Sequence, residues 1–224
     1  MARIARIVLP RTPHLIAQRG NRSERLFYSA ADRKRYLQLV SESLADHAVR
    51  LWAYRLDADQ VHLVVCPRDG DALAVALRNA HGRYSQSINR RQSTTGHLFQ
   101  GRFYSCPLDQ AYLALAVRRL ERFEGDCPSA TVSSTALRLG GEAVDWPAAK
   151  ALLADGLPLL DSVKDWRAWL AGPIDKPGLA HLQSRLRVGK PAGSAEFVRR
   201  AERLTGLNLS RPRGRPPKTK PGRK

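Results

Sequence analysis

The chain has 224 residues, 43% of them hydrophobic, and carries 38 Lys+Arg against 20 Asp+Glu for a net charge of +18. That much apolar sequence supports one large domain or a compact domain with appendages. A cation excess of this size attracts polyanions, which puts nucleic acid first among partners and an anionic membrane surface second. No apolar run approaches the roughly 18 residues of a membrane span, so no transmembrane helix is expected. The opening residues hold Arg3, Arg6 and Arg11 without an apolar stretch, unlike a secretory leader. Cys66, Cys106 and Cys127 are odd in number and far apart. They read as buried free thiols of a reducing, cytoplasmic compartment, in keeping with a partner in the nucleoid, rather than as disulfides or a zinc site.

In chain order, 14–18 reads as a strand and 20–22 as a turn. Ser29 opens a helix with Asp32 three residues on, and Tyr36, Leu37, Val40 and Leu44 carry the helical period to about His47. Segment 49–54 is a second strand, Asp57 to Asp59 a turn, and 61–66 a third and most apolar strand. A long helix is expected over 72–91, with Leu73, Leu77, Ala80, Tyr84 and Ile88 inward. A glycine-bounded loop at 96–101 and a short strand at 103–106 lead to a helix over 109–123, with Leu113, Ala116, Val117 and Leu120 inward. The order β-α-β-β-α-β-α predicts a ferredoxin-like α+β domain, an antiparallel sheet with two or more helices on one face. This domain spans 1–125. A helical C-terminal extension, 126–210, has short helices expected at 148–153, 163–170 and 194–205. Residues 211–224 hold seven cations, no acid and four prolines, and read as a disordered basic tail.

Three constellations carry chemistry. Gln60 and His62 stand two apart on a strand and so share a face, where an amide oxygen and an imidazole can hold one divalent cation; the same pattern also arises from a histidine satisfied on a sheet. The segment from Asn89 to Phe103 joins Arg90, Arg91, His97 and Arg102 to Leu98, Phe99 and Phe103. It reads either as a phosphate- and base-contacting loop or as a solvated loop whose apolar residues plug the core. Arg213-Gly214-Arg215-Pro216, followed by Lys218, has the form of an AT-hook core for an A·T-rich minor groove, with phosphate contacts alone as the plainer alternative. Trp52 and Tyr54 share a face of a regular strand, the feature an RNA-stacking sheet would need.

Taken together, Gln18-Arg19-Gly20-Asn21-Arg22, Val61-His62-Leu63, residues 84–91, the long run Thr95-Gly96-His97-Leu98-Phe99-Gln100-Gly101-Arg102-Phe103-Tyr104-Ser105, Tyr112-Leu113, residues 193–198 and the terminal Arg-Gly-Arg-Pro-Pro-Lys resemble the REP-associated tyrosine transposases. These are a single-tyrosine branch of the nucleases named for a His-hydrophobic-His strand. The resemblance implies binding of single-stranded or imperfect hairpin DNA by a monomer or homodimer. It also implies Mg²⁺ or Mn²⁺ held by two histidines and a third polar ligand, and a tyrosine that attacks phosphorus to leave a 5′-phosphotyrosine and a free 3′-OH. Carried over residue by residue, the second histidine falls on His62 and the first on Gln60. The tyrosine falls on Arg119 and the polar residue one turn later on Phe123. The expectation is a fold that binds DNA with degenerate cleavage. Tyr112 or Tyr104 remain as substitute nucleophiles, Glu121 or Glu124 as a ligand in a shifted register, and an RNA-binding module as a further alternative. DNA contacts are expected from Arg19, Arg22, Arg90, Arg91, His97, Arg102, Arg118 and Arg119, and from Arg213, Arg215 and Lys218 in the tail.

Overall fold

The computed structural model describes residues 6–122, 131–139, 153–159 and 161–210. Phe123, Glu124, Cys127, residues 148–152 of the helix expected at 148–153, and the whole tail with Arg213, Arg215 and Lys218 lie outside them. Strands β1 (His14–Arg19), β2 (Val49–Leu56), β3 (Gln60–Pro67), β4 (Tyr104–Pro107) and the short β5 (Val132–Ser133) form one antiparallel sheet in the order β4-β1-β3-β2-β5. The first four strands follow the expected order; β5, two residues long, carries no sequence signal.

Helices α1 (Ala30–Asp46) and α2 (Ala72–Gln92) lie against each other on one face of the sheet. Ser29 and Asp32 form the capping box expected from their spacing, with Asp32 N donating to Ser29 Oγ at 3.2 Å and Ser29 N to Asp32 Oδ2 at 3.0 Å. Tyr36, Leu37, Val40, Leu77 and Tyr84 bury against Ile16, Leu63 and Val65 of the strands. Leu98, Phe99 and Phe103 belong to this core, so the apolar residues of the 96–103 loop plug it.

The second face is covered as well. Helices α3 (Gln110–Glu121), α5 (Trp166–Ala171) and α6 (Lys176–Val188) bring Leu113, Val117, Leu170, Leu182 and Leu186 onto Leu15, Trp52 and Val64. Burial on both sides explains why β3 is apolar without alternation. Residues of the C-terminal extension thereby complete the domain's second core layer, joined by the short α4 (Thr135–Arg138) and by α7 (Ala195–Thr205), which packs on Ile7 and Leu9. Helix α6 has no counterpart in the sequence reading. Its Pro177-Gly178 pair resembles a break, whereas proline in a first turn is a helix start, here capped by Asp175.

Strand β2 corrects one expectation. A bulge between Leu51 and Ala53 makes Trp52 an extra residue, so Trp52 faces the α3 side while Tyr54 faces α1 and α2. Both are buried, at 4% and 0% exposure, and neither offers a stacking surface. Cys66 and Cys106 are free and buried, and burial pushes the Cys106 thiol up to about 12. No helix among the described residues is long and apolar enough to cross a membrane.

Two buried polar groups fix the layers. Glu121 is wholly buried: Oε1 accepts from Arg138 Nε at 2.7 Å and Ser134 Oγ at 2.5 Å, and Oε2 accepts from Trp166 Nε1 at 2.7 Å. Removing one member of a buried ion pair leaves the other charge uncompensated. Glu121→Ala is therefore expected to lower unfolding free energy by about 3–5 kcal/mol, read from the urea midpoint. His14, with no exposure, accepts from Leu9 N at Nε2 and faces Thr12 O with Nδ1 at 2.7 Å, which fixes one neutral tautomer. Burial lowers its pKa to about 4 from the ordinary 6.5. Between those values the unfolded chain holds a proton that the folded chain does not, so stability rises with pH across the window. Acidification from 6.5 toward 4 should cost up to about 3 kcal/mol through this residue, and His14→Gln should flatten the slope of urea midpoint against pH.

Candidate nucleic-acid interface

Strand register assembles the central site. Ala17 of β1 pairs with both Tyr104 of β4 and His62 of β3; His62 pairs with Arg55 of β2, and Arg55 with Ser133 of β5. Paired residues project to one face, so Tyr104, Ala17, His62, Arg55 and Ser133 form a row across the sheet on the α3 side. Arg19 and Gln60 form the next pair along that face. Gln60 and His62 are thus side by side, as their spacing predicts.

The last turn of α3 brings Arg119 to this row. His62 is 8% exposed. Its pKa falls to about 4, first through burial and next through the positive field of Arg119, with Arg55 and Arg19 adding to it and Asp57 opposing. Asp57 accepts from Arg55 Nε at 3.0 Å and stands 3.9 Å from His62 Nδ1. Burial and Arg55 also lower the Arg119 pKa, and Arg119 Nη1 is buried without a hydrogen-bond partner among the described residues. Three guanidinium groups surround a neutral imidazole and face a single carboxylate.

These residues do not fit Mg²⁺ or Mn²⁺. A divalent cation at His62 and Gln60 would meet the positive charges of Arg19, Arg55 and Arg119, and Asp57 is already paired with Arg55. Among the described residues no three His, Cys, Asp or Glu side chains gather as a ligand set. Glu121 does not supply one in a shifted register, because its oxygens are engaged by Arg138, Ser134 and Trp166. An anion fits the same site better: a phosphate oxygen would satisfy the open Arg119 donor.

The remaining candidates divide by what they touch. Tyr112 sits in the first turn of α3 with its ring centroid 5.7 Å from that of His181, two helical turns from Arg119. Tyr104 is 46% exposed and shares the His62 row, two strand spacings or about 10 Å away across Ala17. Arg19, Arg22, Arg90, His97 and Arg102 are exposed. Arg91 instead forms a two-pronged pair with the buried Asp32, Nη2 reaching Oδ2 at 3.0 Å, and Arg118 donates to Pro173 O at 2.8 Å above the Trp169 ring. Both therefore hold the fold together. Arg55 and Asp57 were not anticipated as site residues: only strand pairing brings Arg55 against His62, and a single sequence carries no pairing signal.

A second basic feature lies on the other face. A cleft of about 480 Å³ between α2 and the 96–103 loop is lined by Arg6, Arg78 and Arg102 around the buried Gln18.

Comparison with known proteins adds three findings. No curated protein matches the sequence. A solved structure described as a REP-associated tyrosine transposase bound to a REP hairpin is similar, at 13% identity and a TM-score of 0.46, covering 66% of this chain and 81% of that one. The family model described as "Transposase IS200 like" matches residues 11–119, the span from the approach to β1 through Arg119. Over residues 11–119 this chain is similar to the IS200-like transposase family.

Proposed function

We propose that this protein binds single-stranded or hairpin DNA, in the manner implied by its resemblance to the REP-associated tyrosine transposases, and does not cut it. The observation that carries this reading is Arg119 against His62. A transposase of this kind needs a phenolic oxygen there to attack phosphorus, and arginine has none. What arginine has is a planar set of N–H donors suited to phosphate. With Arg19 and Arg55 it converts a cleavage centre into a clamp for a phosphodiester. Exposed Arg22, Arg90, His97 and Arg102 add further positive surface to the chain, His97 and Arg102 beside the cleft on the opposite face. The tail contributes Arg213, Arg215 and Lys218 toward an A·T-rich minor groove. We read the working form as a monomer or homodimer acting on nucleoid DNA in the cytoplasm.

One observation favours a second reading, an active enzyme. Tyr104 is exposed on the His62 row, with only the small Ala17 between them. In that reading the Tyr104 oxygen displaces the 3′-hydroxyl and becomes esterified to the 5′-phosphate. The RNA-binding alternative loses its motive, since Trp52 and Tyr54 are buried on opposite faces.

The test is incubation with labelled hairpin oligonucleotides and Mn²⁺, read on native and denaturing gels. The expected result is a retarded native complex with no SDS-resistant adduct, and weaker retardation by about tenfold for Arg119→Ala. An adduct that vanishes in Tyr104→Phe would replace this reading with the second. The two neighbouring arginines should also separate. Arg90→Ala is expected to weaken hairpin binding at unchanged Tm, whereas Arg91→Ala should lower Tm by removing the partner of Asp32, as checked by anisotropy and thermal melting.

A further inference from the structure

We propose that the cleft between α2 and the 96–103 loop receives one unpaired nucleotide of bound DNA, with its base against Gln18 and its phosphate on Arg6, Arg78 and Arg102. This rests on the DNA-binding reading, but it uses the face of the sheet opposite His62.

The cleft volume, about 480 Å³, lies within the range of small-ligand sites. None of its lining residues is acidic. Arg6 and Arg102 stand close enough for each to oppose the other's charge, a repulsion that a phosphate relieves. The wall is aromatic and prearranged: His81 stacks on Phe99 at 4.3 Å between centroids, and the Arg6 guanidinium lies 3.7 Å above the Phe103 ring. A planar base is the ligand such a wall stacks well.

Gln18 supplies the polar end. It is 2% exposed, and its Nε2 donates to the carbonyls of Arg19 at 3.2 Å and Gln100 at 3.4 Å. No hydrogen bond from the described residues reaches its Oε1. Gln18 borders the cleft and its amide oxygen is an acceptor there, and the exocyclic amines of adenine, cytosine and guanine are donors that suit it.

Gly82 is the independent observation. It lies within α2, where glycine is the least favourable residue after proline. A Cβ there would meet nothing within 4 Å, so packing within the protein does not require glycine. Gly82 does border the cleft, and a bare backbone at that point keeps the entrance open for a flat ligand.

The experiment is a thermodynamic cycle on the full chain, read by fluorescence anisotropy with hairpin DNA carrying unpaired flanks. Each unpaired nucleotide is replaced in turn by an abasic one, and Gly82→Leu fills the cleft from the protein side. One abasic position should weaken binding about tenfold. Gly82→Leu should weaken binding of the intact oligonucleotide equally, and the two changes together should cost no more than either alone. Gln18→Ala should show the same non-additivity, and Gly82→Ala should keep affinity and raise Tm, which separates an occupied cleft from a misfolded helix. Additive losses, or no sensitive abasic position in a hairpin that still binds, overturn the cleft assignment alone. Absence of any hairpin binding by the unmodified chain overturns the DNA-binding reading with it.

Discussion

A carboxylate cut off from water anchors the end of α3. Glu121 is held by Arg138, Ser134 and Trp166, residues contributed by α4, the turn before it and α5. Arg119 lies two residues earlier on the same helix, so the contacts that seat Glu121 also keep the guanidinium within electrostatic reach of His62. The helix end is thus fixed by groups outside the β-α-β-β-α-β core, and the chemistry of the central row depends on that extension. Burial follows from the same contacts: with α3 pressed onto the sheet, His62 loses water and remains a neutral imidazole.

Electrostatics then decides what the row accepts. Around His62 this chain gathers Arg19, Arg55 and Arg119. The field favours an anion, and the open Nη1 of Arg119 gives that preference a direction. In the reading proposed above, an arginine at this position does more than withhold a reactive group; it sets the sign of the site.

Local signals made most of the fold legible. The Ser29 and Asp32 capping pair, the helical period through Tyr36, Val40 and Leu44, and the apolar run at 61–66 each depend on residues close in sequence, and the structure has them as read. The pairing of Gln60 with His62 on one face followed from strand alternation alone. What was hidden depends on the third dimension. The bulge at Trp52 reverses the alternation of β2 and separates Trp52 from Tyr54. Arg55 joins the site only through its register with His62. Arg91 looked like Arg90 until the buried Asp32 distinguished them. Helix α6 was masked because Pro177 and Gly178 serve at a helix start as well as at a break.

The two ends of the described chain meet. Leu209, just before the basic tail, packs with Ile7 and Leu9, and Arg6 forms part of the cleft rim. The seven cations of residues 211–224 follow Leu209 in sequence. Were a polyanion to dock at the rim as proposed, those cations would meet it at the raised effective concentration of a linked site. In the proposed reading, two individually modest contacts would then behave as one bivalent attachment, whose release requires both to open together.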